Sequence, residues 1–135
     1  MAQGEDGLEP FSFQHPTRQG EDEMGRKIVN VCFRTAARGD ILRQFRYYMV
    51  EKELPDVARR FLDAVESAVD LLCRTPGVGA PKQLANPLLA GLRSWPIPGF
   101  SAVRLYYIHV GNELRVVRVL HGKRDIHPLL EETIE

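Results

Sequence analysis

Apolar residues recur along this chain with two different periods, and the switch between them divides it. Residues 27–33, KIVNVCF, are short and rich in β-branched side chains, which predicts a first strand. From 36 to 53 the period changes. Ile41, Phe45, Tyr48 and Met49 fall three and four apart and make one stripe along a helix. Pro55 suits a first helical turn, and Asp56 beside it favours the positive end of the helix. Val57, Phe61, Val65, Ala68 and Leu72 then mark a second helix, which Thr75-Pro76-Gly77 ends. The short link between the two helices predicts an antiparallel hairpin.

Beyond a Pro- and Gly-rich loop over 76–87, three strand-like runs follow at 91–97, 102–110 and 113–120. Gly111-Asn112 predicts a tight turn between the last two. Pro96 and Pro98 push the first of the three towards a sheet edge or limit its paired length. Along the third run, Leu114, Val116 and Leu120 share a face with Arg118, so the faces are not cleanly separated. The order is β-α-α-β-β-β with a short C-terminal helical element. It predicts an α+β fold, with an N-terminal helical hairpin on one face of a small antiparallel sheet and the other face partly open.

Residues 1–27 carry no apolar period and are punctuated by six glycines and prolines, Gly4, Gly7, Pro10, Pro16, Gly20 and Gly25. They read as an acidic tail: a disordered arm, an expression remnant or a mis-assigned start. Residues 28–135 read as the structured domain. A formal net charge of zero hides an asymmetry. Residues 1–23 hold six acidic side chains against Arg18 alone, whereas 74–124 hold eight basic side chains against Glu113 alone. The basic half should attract an acidic partner. Cys32 and Cys73 sit in apolar runs and read as buried free thiols, and no Cys/His spacing suggests a metal site. No apolar run is long enough to span a bilayer, and nothing resembles a secretion signal, so the expected compartment is the cytoplasm.

Several blocks together carry a resemblance. They are Asp40-Ile41 and Tyr47-Tyr48 in the first helix, ARRFLDAVESAVDLL (58–72), TPGVGAP (75–81), LRSWPIPGF (92–100), VRLYYI (103–108) and RVLHGKRDI (118–126). In this combination the chain resembles the RelE/ParE superfamily of toxins from type II toxin–antitoxin modules, and within it the ParE branch. The likeness covers about 28–130. It implies a small bacterial toxin with a role in plasmid stabilisation. Its cognate ParD-like antitoxin would fold a C-terminal segment onto it in a hetero-oligomer. The likeness also implies DNA gyrase as target, and neither a cofactor nor sequence-specific nucleic-acid binding.

The alternative within the superfamily is a RelE-like, ribosome-dependent mRNA interferase, a metal-independent endoribonuclease. That chemistry needs a general acid and base and cations at the phosphate. Arg104 and Arg124 match its basic positions, and His121 is a candidate proton carrier, with His127 behind it. The lysines and the C-terminal Tyr of that design are missing, so the expectation is a toxin acting by binding, without catalysis. His121 then reads as mainly structural. The expected partner-binding residues are Arg93, Trp95, Arg104, Tyr106, Lys123, Arg124 and Leu130. Tyr106 and Tyr107 should point to opposite faces of their strand, one into the core and one available for contact.

Overall fold

In the computed structural model, β1 (Asn30–Phe33) leads into α1 (Thr35–Arg46), whose end widens into a π-helical turn over Tyr47–Glu51. The structure describes residues 29–122. After α2 (Pro55–Arg74) come β2 (Ala80–Pro81), β3 (Arg93–Ile97), β4 (Phe100–Val110) and β5 (Glu113–His121). The acidic segment 1–27 and the expected C-terminal element, with Lys123, Arg124 and Leu130, lie outside the described residues.

The helical stretch expected over 36–53 is therefore a regular helix plus a wider turn. The cause is the short link to α2. Glu53 takes φ 54, in the left-handed region that few side chains adopt. The turn lets the Lys52 and Leu54 N–H groups donate to the Tyr47 and Tyr48 carbonyls at 3.0 and 2.8 Å. α2 then starts on Pro55 with Asp56 in its first turn. It buries Ala58, Phe61, Val65, Ala68, Val69, Leu72 and Cys73, one stripe at helical spacing.

The sheet has five strands in the order β1-β5-β4-β3-β2. The three pairings from β2 to β5 are antiparallel, as expected, while β1 adds to β5 in parallel. The sheet is thus mixed, and the hairpin covers one face of it in an α+β architecture. β3 is nearly an edge strand, because the two-residue β2 pairs only with Arg93 and Ser94, short of Pro96.

The second face is not open. Leu89, Leu92, Tyr106, Ile108, Val117 and Leu120 form a separate apolar cluster there, with Leu84 packed against it from the 82–92 loop. A β-bulge makes this arrangement work. The β4–β5 register shifts between Tyr106, opposite Arg118, and Tyr107, opposite Val116, so Val117 is the extra residue. Val116 and Val119 therefore both face the helices, whereas Val117 and Leu120 face the other way. Strict alternation had put Val116 and Leu120 on one face, and the bulge overturns that.

Asp40 is buried in the α1 stripe between Ala37 and Ile41. β1 ends opposite Val116, so among the described residues no strand runs beside β5 at Val119. The Asp40 carboxylate takes that place and accepts the Val119 N–H at 3.0 Å. It also accepts Arg118 Nε and Nη2 at 2.7 and 2.8 Å, and Arg43 Nη2 at 2.6 Å. With side-chain exposures of 2% for Asp40 and 11% for Arg118, this ion pair is largely shielded from water. Removing one member of such a pair strands the other. Asp40→Ala should lower unfolding free energy by about 3 kcal/mol in urea denaturation. Asp56→Ala, which breaks the exposed pair with Arg59, should leave the midpoint nearly unchanged.

A candidate partner-binding groove at the hairpin tip

The end of α1, the π-turn and the ends of β4 and β5 enclose an open groove of about 800 Å³. Its floor holds Asp40, Val103 and Val119, and its sides are Tyr47, Tyr48, Leu54 and Phe100. Arg43, Lys52 and His121 supply the basic groups of the lining. The aromatic wall is rigid because its rings lean on one another. Tyr48 stands 5.6 Å from Phe100 and 5.9 Å from Phe61, and Phe61 meets Phe100 edge-on at 5.4 Å. Tyr47 stands edge-on to Tyr48 and carries the Lys52 ammonium 5.7 Å above its ring. Tyr47 and Leu54 remain 42% and 46% exposed. Large rigid aromatics rimmed by cations are the side chains that anchor protein partners.

Most of this site was not singled out in the sequence. Asp40 had a signal, since a carboxylate inside an apolar helical stripe calls for a buried cation. The groove residues Arg43, Lys52, Leu54 and Phe100 gave none.

The described ones among the expected partner residues, Arg93, Trp95, Arg104 and Tyr106, do not share one surface. Trp95 is half-buried against the helix-side core. Arg93 donates through Nη1 to the Gly79 carbonyl at 2.7 Å. Arg104 lies on the opposite side of the sheet, where its Nε and Nη2 donate to the buried Ser94 Oγ at 3.3 and 3.2 Å. Its side chain also lies beside the strand exit, 3.8 Å from where a Cβ on Gly122 would stand. Tyr106 is corrected outright. It is 1% exposed inside the second apolar cluster, so it offers no contact surface. Tyr107 is buried as well, on the helix side, because both faces of the sheet have cores. His121, opposite Val103, lines the groove, whereas Arg104 does not. The candidate proton carrier His121 and Arg104, the described one of the two candidate phosphate cations, therefore face different sides of the sheet.

Tyr107 and Arg93 do other work. Tyr107 Oη donates to the Pro76 carbonyl at 2.6 Å and accepts the Gly79 N–H at 2.9 Å, which latches the 76–79 loop to β4. Burial pushes the Tyr107 hydroxyl pKa up, partly offset by the Gly79 N–H, so it stays protonated and able to donate. A Cβ on Gly79 would stand 2.5 Å from this hydroxyl, so glycine is required by close approach. Cys73 is buried as expected, but Cys32 is only partly covered. Burial raises the Cys32 thiol pKa, and the neighbouring Glu113 carboxylate, its hydrogen-bond partner, raises it further. Arg115 holds the Glu113 carboxyl below its usual range, with Nε donating at 2.8 Å. Among the described residues, no group of three or more His, Cys, Asp or Glu side chains could hold a metal ion, and no helix is long and apolar enough to cross a membrane.

Residues 31–126 match the family described as the ParE toxin of the type II toxin-antitoxin system, parDE. The chain belongs to the ParE toxin family. The ParE-type region thus includes both helices, all of the sheet but its first residue, and the groove. A solved chain of the chromosomal ParDE TA system from P. aeruginosa has the same fold, with a TM-score of 0.57 and 17% identity over 71% of this chain and 98% of that one. No curated protein matches this ParE-family chain in sequence.

Tyr107→Phe should cost about 1–3 kcal/mol in chemical denaturation, because it leaves the Gly79 N–H and the Pro76 carbonyl without their partner. Gly79→Ala should stay destabilising even in that background, since the ring Cε1 of residue 107 and the Ser94 carbonyl oxygen still stand 2.8 and 2.9 Å from its Cβ. For Cys32, iodoacetamide labelling should accelerate only at pH values above the ordinary thiol range. Glu113→Gln should move that rise to lower pH, which a rate–pH profile will show.

Proposed function

We propose that this ParE-family toxin acts by binding DNA gyrase in the cytoplasm, without catalysis of its own, and that a cognate ParD-like antitoxin neutralises it. The observation that supports the non-catalytic reading is that His121 and Arg104, the described residues that match the nuclease design, lie on different faces of the sheet. Acid–base transfer at a phosphodiester needs proton carrier and cation on the same substrate atom set. Here His121 opens into the groove, while the Arg104 guanidinium sits across the sheet on Ser94. Arg118, a further strand cation, is taken up by Asp40. What the groove offers instead is exposed aromatic and aliphatic surface with a basic rim, which suits an amphipathic, acidic peptide segment.

The gyrase assignment rests on the family, and one pair of assays tests it. In cells expressing the chain without antitoxin, DNA synthesis should fail before protein synthesis, and the purified chain should inhibit supercoiling by gyrase. Early loss of translation with cleaved mRNA would instead establish the interferase reading. For the antitoxin, Lys52→Glu combined with Leu54→Glu should weaken binding at least about tenfold in calorimetry. Unchanged affinity would move the antitoxin to another surface.

A further inference from the structure

Two features of this chain fit each other, and the second of them has had no role so far. The first is the state of the groove. Among the described residues, its one lining carboxylate, Asp40, is engaged by Arg118, Arg43 and the Val119 N–H. The lining therefore presents cations and apolar surface to whatever enters. The second is the N-terminal segment. Residues 1–23 hold six carboxylates against Arg18, with Leu8, Phe11 and Phe13 among them. The segment precedes the family match, which begins at residue 31.

We propose that this acidic segment docks in cis into the groove. Glu21, Asp22 and Glu23 would meet the rim of Arg43 and Lys52, and Phe11 and Phe13 would lie against the wall of Tyr47, Leu54 and Phe100. The reach is sufficient. Asn30 stands opposite Glu113, so Val119 on the groove floor is six residues further along β5, roughly 20 Å away. Glu23 and Glu21 precede Asn30 by seven and nine residues, a span of up to about 25–30 Å for extended chain. Phe11 and Phe13 lie further upstream and have slack to reach the far wall.

A tethered ligand acts at an effective concentration of order mM, so a weak contact is enough to occupy the groove much of the time. Any partner binding there in trans must displace the segment. Its apparent affinity falls by the fraction of molecules whose groove is open. The segment would thus set how much partner the toxin needs, a regulation that does not depend on which protein that partner is.

The test uses the full chain alone, so its outcome is separate from the gyrase and antitoxin assays. Amide spectra of the ¹⁵N-labelled chain are compared with those of a variant carrying Glu21→Lys, Asp22→Lys and Glu23→Lys. The expected result is movement of the Gln44, Tyr47, Leu54, Ser101 and Ala102 amides while Phe61, Val65 and Leu72 stay fixed. Adding Lys52→Glu to that variant should return the groove amides towards their original positions. Raising salt to 1 M, where the Debye length falls to about 3 Å, should move the wild-type amides the way the charge reversal does. Phe11→Ala with Phe13→Ala gives a second route to the same displacement. Shifts confined to residues next to the substitutions would overturn the proposal. Groove shifts that vary with protein concentration would overturn it too, by assigning the contact to the segment of a second copy.

Discussion

The Asp40 carboxylate joins the two halves of this molecule. It comes from a helix, yet it completes the sheet by accepting a strand N–H where the parallel neighbour has run out. The same oxygens hold Arg118 and Arg43, so one buried charge fixes the end of β5, the pitch of α1 and the position of a rim cation. A buried carboxylate is expensive unless its lone pairs are filled, and here they are filled by a guanidinium and an N–H from β5 and a guanidinium from α1 itself. The groove inherits its shape from that arrangement. With α1 held at this angle, the π-turn and its aromatic residues stand over the start of β4.

Around this anchor the molecule divides its aromatic residues by task. Tyr106 and Tyr107, adjacent on one strand, each fill a different core. Tyr47 and Tyr48, adjacent on a helical turn, split between solvent and the Phe61–Phe100 stack. Both pairs are alike in sequence, and only one leaves a ring on the surface. The difference lies in what covers each side: the sheet has cores on both faces, while the hairpin tip faces the solvent on one.

Much of the architecture was legible from periodicity, because a hairpin stripe and alternating strands are local patterns. The parallel pairing of β1 was not, since nothing within Asn30–Phe33 encodes which strand it will meet. The bulge at Val117 was hidden for a related reason. Val116, Val117, Val119 and Leu120 are all apolar, so a one-residue slip leaves no trace in the pattern, and only Arg118 hinted that alternation failed there. For the site, the sequence favoured the basic residues of the strands. Arg93 and Arg104 proved to brace a loop carbonyl and a buried hydroxyl. The exposed groove residues sit on a turn whose geometry depends on the tight link at Glu53, which composition does not reveal.

The pairing of the first described strand with the last has a consequence for synthesis. Asn30 must wait for Glu113, and the Asp40 carboxylate must wait for Val119, so these contacts have a large sequence separation. At about 5–20 residues per second, some 4–17 s pass between the emergence of β1 and that of its neighbour. Until then there is neither a finished sheet nor a groove. The contacts that close the sheet and shape the groove floor thus form only after β5 has emerged, and not progressively with the chain.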